Sequence, residues 1–173
     1  MSLFLKISGV DTIPGAATVA DIAGHRGLMP ITSFEWGAIR PIMMDIGAMS
    51  FGEVGSVTIE NVSIFREADG GSPFLQTMFY QPGASGRALS LIEARTDRVG
   101  DALVPSLIVT LSEARLAEYD LSAGTSGATE TLVAAYTKIE FEHYYEESDG
   151  TIKKGNAVKF DLAKARLASG VRI

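Results

Sequence analysis

Residues 130–145 read Glu-Thr-Leu-Val-Ala-Ala-Tyr-Thr-Lys-Ile-Glu-Phe-Glu-His-Tyr-Tyr and form the longest strand-like pattern in the chain. β-Branched and aromatic residues are frequent and no Gly or Pro interrupts them, which predicts a β-strand. The apolar face changes within it, from even-numbered positions up to Tyr136 to odd-numbered positions from Ile139. Because strand side chains repeat every two residues, the change indicates either a β-bulge near Lys138 or a strand end that is buried on both sides.

Short apolar runs elsewhere in the chain, separated by Gly-rich and Pro-containing segments, predict further strands. We expect these at residues 3–7, 31–36, 57–65, 88–95, 103–111, 115–121 and 157–162. A single helix is predicted from Pro73 to about Tyr80, with Ser72 as its N-cap and an apolar stripe that packs on the core. Eight or nine strands and one helix indicate an all-β fold, a closed barrel or tight sandwich, in one domain covering residues 1–173.

The composition excludes several classes of protein. With 173 residues, 46% of them apolar, the chain is long enough for one domain with a hydrophobic core. A net charge of −6 argues against nucleic-acid binding, and the absence of cysteine excludes disulfides and Cys-ligated zinc. The N-terminus does not resemble a signal peptide, and no apolar run is long enough to insert into a membrane. We therefore expect synthesis in the cytoplasm and, if the protein is exported, no cleaved leader.

Motifs of catalytic and cofactor sites are missing from the sequence. It contains no Gly-x-Ser-x-Gly elbow, phosphate-binding loop or dinucleotide fingerprint. The two histidines, His25 and His143, lie far apart and have no third metal ligand at a recognisable spacing. The carboxylates at 140–149 are interpreted as solvated charge on an exposed strand edge. These observations predict no catalytic residue, no metal and no cofactor, and a role other than that of an enzyme.

Residues 38–56 form an unusually long connection that is rich in large apolar side chains. Gly47, Gly52 and Gly55 argue against a helix, and connections of this length are often functional. The apolar side chains must be covered, either because the loop folds back on its own core or because a β-arm packs on a neighbouring subunit. For the second alternative the candidate protomer-interface residues are Ile39, Ile42, Met43, Met44, Ile46, Met49 and Phe51.

Several short motifs occur in order across nearly the whole chain, and together they resemble the Hcp (hemolysin-coregulated protein) family. They are Phe4-Leu5-Lys6-Ile7, His25-x-Gly27, Ser33-Phe34-Glu35-Trp36-Gly37, Ser72-Pro73-x-Leu75, Glu130-x-Leu132-x-Ala134-x-Tyr136-x-Lys138-Ile139-x-Phe141 and Phe160-Asp161-Leu162. The resemblance implies an Hcp-like β-barrel of two packed sheets with one flanking α-helix. It also implies a homo-oligomer, a hexameric ring that stacks into the inner tube of the type VI secretion system.

The same resemblance implies the partners and the route of export. A sheath would surround the tube and spike proteins would lie at its tip. Effector proteins would travel in its lumen, and the subunit itself would be secreted without a signal peptide. Residues 38–56 would correspond to the extended loop that contacts neighbouring protomers and rings. Two alternatives remain open: a tube protein of a phage tail or other contractile particle, and a monomeric ligand-binding β-barrel or hydrolase with an internal pocket.

Overall fold

The computed structural model describes residues 1–13, 17–45, 47, 50–53, 55–98, 100 and 102–171. Their only α-helix is α1 (Ser72–Tyr80). Their strands are β1 (Ser2–Ile7), β2 (Met29–Ile31), β3 (Ser33–Glu35), β4 (Ala38–Ile39), β5 (Ile42–Asp45), β6 (Ser50–Glu53), β7 (Thr58–Ile59), β8 (Val62–Glu67), β9 (Arg87–Thr96), β10 (Leu103–Gly124), β11 (Gly127–Ala135), β12 (Lys138–Glu146), β13 (Ile152–Asp161) and β14 (Arg166–Ser169).

Strand β10 belongs to two antiparallel sheets. Its first half pairs with β9 and β12 in a sheet ordered β2-β1-β9-β10-β12-β13-β14. Its second half pairs with β11 in a sheet ordered β10-β11-β8-β3. The predicted all-β fold of two packed sheets and one flanking helix is therefore confirmed.

The two sheets do not close into a complete hydrogen-bonded barrel in the part of the chain that the structure describes. On the side away from β10 the connection between the sheets is covalent: β2 of the first sheet and β3 of the second are consecutive strands joined by Thr32. The Thr32 backbone N–H donates to the carbonyl oxygen of Phe65 at 2.7 Å. The strand predicted over 31–36 is thus two short strands that serve different sheets.

A β-bulge carries β10 from one sheet to the other. The register against β9 shifts between Leu111 and Ala114, and Glu113 adopts a left-handed backbone with φ 53°. A bulge adds one residue and bends its strand. Gly86 lies against this bend, where an added Cβ would come 2.3 Å from the Glu113 carbonyl carbon. The separate strands predicted at 103–111 and 115–121 are therefore one strand, and the gap between the two predicted ranges is its bulge.

The stretch that opens the sequence analysis is divided between β11 and β12. The chain is interrupted at Tyr136 and Thr137, where the Thr137 N–H donates to the Ser112 carbonyl oxygen at 3.0 Å beside the β10 bulge. Tyr136 and Ile139 both belong to the main hydrophobic core despite their opposite sequence parity. An irregularity explains the change of apolar face, and the alternative of two-sided burial is wrong for this stretch.

Helix α1 packs on the main core, which lies between the sheets. Leu75 and Met78 are buried there, which confirms the predicted apolar stripe. The predicted N-cap is wrong, because Gly71 is the N-cap and Ser72 is already helical; the Ser72 hydroxyl accepts a hydrogen bond from the Asp69 backbone N–H at 3.0 Å. No helix in the described residues has the length and apolar character needed to cross a membrane.

A second, smaller core covers the opposite face of β1 and β9. It is formed by Phe4, Ile22, Leu28, Ile92, Ala94 and Ile108. Because both faces are covered, the run from Leu89 to Ile92 is buried without alternation. The sequence interpretation also missed β14, and the β10–β11 hairpin continues to Gly124 and Gly127, beyond the strand predicted over 115–121.

Candidate functional site

Residues 38–59 form an arm that pairs only with itself in the described part of the chain. Strand β4 pairs with β7 at its base, and β5 pairs with β6 in a hairpin. Neither pair joins the two main sheets. The segment therefore has the β-structure of the predicted arm. Its contact with a neighbouring subunit stays a prediction.

The predicted interface residues differ in what the structure describes. Ile39, Ile42 and Met43 are 60%, 58% and 63% exposed, so the arm does not fold these side chains back onto its own core. Met44 and Phe51 are paired on the β5–β6 hairpin, but their side chains are not among those described. Ile46 and Met49 lie outside the described residues.

Tyr136 ties both ends of the arm to the sheets. Its hydroxyl accepts a hydrogen bond from Trp36 Nε1 at 2.7 Å, just before the arm, and donates one to the Glu60 carbonyl oxygen at 2.8 Å, just after it. The Glu60 backbone N–H also donates to the Gly37 carbonyl oxygen at 3.0 Å. Burial raises the pKa of Tyr136, which keeps its hydroxyl protonated as a donor. The arm thus starts and ends on a fixed base.

Aromatic packing supports the same base. The ring of Trp36 meets Phe141 edge-on, with centroids 4.9 Å apart and an interplanar angle of 61°. Sequence reasoning placed Trp36 and Tyr136 in strands but did not connect them, since they are separated by 100 positions. The interruption after Tyr136 keeps it in the core with Ile139, and its hydroxyl reaches the arm.

A buried polar network joins β8, β11 and the loop before α1, and the sequence analysis did not predict it. Arg66 Nη1 lies 3.0 Å from Glu130 Oε2, and neither side chain has exposed surface. Arg66 also binds the Asp69 carboxylate, and the Tyr119 hydroxyl donates to Glu130 Oε1. Burial and the hydrogen bond to Glu130 raise the pKa of Tyr119 to about 12. The network fixes the start of α1 on the sheets.

The groups weighed as chemical candidates are dispersed. His25 is half-buried in the loop before β2, and burial lowers its pKa, whereas His143 is exposed on β12. No cluster of three or more potential metal ligands occurs among the described residues.

The carboxylates of β12 are not the solvated strand edge that the sequence suggested. Strand β12 lies inside the sheet between β10 and β13, and two of its carboxylates pair across to β13, whereas Glu146 pairs with Arg95 and Arg98. Lys159 Nζ lies 2.9 Å from Glu140 Oε2, and Lys154 pairs with Glu142. Such cross-strand pairs stabilise the sheet rather than form a reactive site.

Comparison with known proteins identifies the family. The model of the family described as "Type VI secretion system effector, Hcp" matches residues 4–143. A solved structure described as a type six secretion system protein aligns with a TM-score of 0.78 at 19% identity, covering 96% of this chain and 98% of that one. Hcp1 from Salmonella typhimurium aligns with a TM-score of 0.66 at 17% identity, over 96% and 97% of the two chains.

A third solved structure, the secreted protein Hcp3 from Pseudomonas aeruginosa, has a TM-score of 0.56 at 18% identity and covers 89% of this chain and 96% of that one. At these identities the structural matches establish the fold. Among curated proteins, no sequence matches this chain significantly. The family match extends over most of the chain and includes the arm, its base and the β11–β12 stretch. On this evidence the chain belongs to the Hcp family of the type VI secretion system.

Proposed function

We propose that the chain is a structural subunit of the type VI inner tube. In this proposal it forms stackable hexameric rings that are exported through the type VI apparatus and carry effector proteins in the lumen. The proposal includes sheath and spike proteins as partners and a role that is not enzymatic. The observation that carries it is the arm, in which the described side chains of Ile39, Ile42 and Met43 are exposed in a single copy of an Hcp-family chain.

The exposure of Ile39, Ile42 and Met43 favours contact with another copy. Burying a large aliphatic side chain contributes about 1.5–3 kcal/mol relative to leaving it in water. A ring requires each copy to present two different surfaces, so that the contact repeats until the rotation closes. The arm supplies one such surface, and its fixed base reduces the conformational entropy lost on contact.

Assembly is tested with a charge placed on the arm. The unmodified chain is expected to have the native mass of six copies, measured by native mass spectrometry and by light scattering after size exclusion. Met43→Asp is expected to yield folded monomers, because an unpaired carboxylate in an apolar contact is strongly unfavourable. Tyr80→Asp is the control, since Tyr80 is likewise exposed but belongs to α1, which packs on β10 and is not part of the arm. A monomeric unmodified chain, or a Met43→Asp ring of unchanged mass, contradicts the proposal.

The two other candidate functions are less well supported. A phage-tail tube protein would share the fold, but the matching family is that of type VI secretion. Neighbouring genes for a sheath and secretion components, as against capsid genes, test this distinction. A monomeric ligand-binding barrel needs an internal pocket, whereas the space between the sheets contains fully buried side chains, among them Leu5, Leu89, Leu111 and Leu132.

A further inference from the structure

An apolar cleft lies between the base of the arm and the sheet edge formed by β12, β13 and β14. It has a volume of about 410 Å³, and its lining includes Trp36, Phe141, Phe160 and Leu167. The apolar lining follows from strand alternation: the Glu140–Lys159 ion pair occupies the neighbouring positions of β12 and β13, whose side chains point to the other face. Leu167 is 57% exposed, so the cleft is not filled by the chain's own side chains.

The turn and strand beside this cleft carry two cations without a partner. Lys164 and Arg166 are exposed at the β13–β14 connection, and Arg166 lines the cleft. Within the described part of the chain neither side chain makes an ion pair or a hydrogen bond, whereas Lys138, Lys154 and Lys159 on the adjacent strands all pair with carboxylates. A cleft with this rim is complementary to a segment that is both apolar and acidic.

The second half of β10, in the β10–β11 hairpin, has that chemistry. Glu118 and Asp120 are exposed and make no ion pair or side-chain hydrogen bond with other described residues. Leu121, next to Asp120, is 54% exposed. Along these residues β10 pairs with β11 on one side only, so its other side is an open sheet edge in the described part of the chain. This segment, residues 118–121, is called the acidic hairpin.

The acidic hairpin and the cleft of one chain belong to different sheets. Phe141 in the cleft is paired with Val109 of β10. From Val109 to Leu121 the chain runs for about 40 Å along the strand at about 3.3 Å per residue, and the bulge between them bends it into the other sheet. The cleft and the acidic hairpin therefore lie on separate parts of the molecule, as the two surfaces of a head-to-tail contact do.

We propose that the cleft receives the acidic hairpin of a second copy of the chain. Leu121 then occupies apolar space beside Leu167, and Glu118 and Asp120 lie near Arg166 and Lys164. The inference rests on the proposed function, because it names a contact through which copies assemble in addition to the arm. It also gives a role to the exposed hairpin and to the unpaired cations of the β13–β14 connection.

Charge reversal tests this contact. Arg166→Glu and Asp120→Arg are each expected to weaken association about tenfold, because each places like charges together across the contact. The double variant again places opposite charges across the contact, with the two charges exchanged. The Kd for its self-association is therefore expected to return to within about threefold of the unmodified value. Sedimentation velocity over a concentration series measures the Kd, and circular dichroism checks the fold of each variant. Arg26→Glu is the matched control, because Arg26 is exposed away from the cleft.

Three results overturn the inference. The first is association that neither single charge reversal changes beyond the Arg26→Glu control. The second is a double variant that associates as weakly as the two single effects combined. The third is disruption by Leu167→Asp without any effect of the charge reversals, which means that another segment occupies the cleft. If Met43→Asp dissociates the copies while Arg166→Glu does not, the inference fails and the proposed function stands. If the unmodified chain is monomeric, the proposed function itself fails.

Discussion

Replacing Arg66 by Met is expected to destabilise the folded chain by about 4–5 kcal/mol. Arg66 and Glu130 have no exposed side-chain surface, and Nη1 lies 3.0 Å from Oε2. Without the guanidinium, Glu130 stays buried as a charge and keeps only the hydrogen bond from Tyr119. The expected destabilisation by Arg66→Met therefore lies near the upper end of the range found when one partner of a buried ion pair is removed.

The reciprocal change is expected to cost less. In Glu130→Gln the side-chain volume is kept, and Arg66 retains its pair with Asp69, whose carboxylate is partly exposed. The expected destabilisation is about 2–3 kcal/mol, the cost of an incompletely satisfied buried charge. The double variant Arg66→Met with Glu130→Leu removes both charges, so it is expected to be within about 1 kcal/mol of the unmodified chain.

Urea denaturation at one fixed protein concentration measures these differences, because assembly adds to the apparent stability. Thermal unfolding gives the same order, with about 2–4 °C per kcal/mol for a chain of this size. Lys159→Met is the control: it breaks an ion pair with Glu140 that is partly exposed on both sides, and it is expected to cost less than about 1 kcal/mol. The reasoning is refuted if Arg66→Met costs no more than Lys159→Met, or if the double variant is as unstable as Arg66→Met.

Three further predictions concern the base of the arm, the β10 bulge and Tyr119 of the buried polar network. Tyr136→Phe leaves Trp36 Nε1 without its acceptor, so it is expected to destabilise the folded chain by about 1–3 kcal/mol and to increase amide hydrogen exchange at Glu60. Tyr145→Phe is the control, because Tyr145 is exposed. Equal exchange at Glu60 in both variants contradicts the role of Tyr136 at the base of the arm. Gly86→Ala is expected to cost about 1–3 kcal/mol, because its Cβ meets the Glu113 backbone, whereas Gly124→Ala meets nothing within 4 Å and is expected to be nearly neutral in the same urea titration. The pKa of Tyr119 is raised to about 12 in the folded chain, against 10.0 in the unfolded chain, so its protonated hydroxyl contributes stability below pH 10.0. This contribution to the free energy of unfolding is lost as the pH rises towards 12. Stability measured across this range is expected to fall less steeply in Tyr119→Phe, and an unchanged slope contradicts the assignment to Tyr119.

Local sequence features predicted most of the elements correctly. The strands predicted at 3–7, 88–95 and 103–111 and the apolar stripe of α1 are all present, because alternation and turn residues act within a few positions. Connections between elements were predicted less well. The bulge at Glu113 was interpreted as a gap between two strands. A local break in the alternation does not show whether the strand ends there or continues with a shifted register against its neighbour.

The candidate site shows the same division. The sequence alone indicated that residues 38–56 carry too many large apolar side chains for an ordinary loop, and Ile39, Ile42 and Met43 are indeed exposed. It did not reveal the base of the arm or the cleft beside it. The lining of that cleft comes from the arm and from β12, β13 and β14, which includes a strand that the sequence analysis missed.

The sequence by itself determined the all-β class, the single helix, the apolar arm and the family resemblance, because these depend on residue type and short-range order. Only the tertiary structure decided that Trp36 meets Tyr136, that Arg66 meets Glu130, and that the stretch at 130–145 is divided between two sheets. These contacts join residues 64 to 100 positions apart, and their geometry depends on the path of the whole chain. The change of apolar face at Tyr136 was visible in the sequence, but its cause, an interruption opposite the β10 bulge, exists only once the strands are paired.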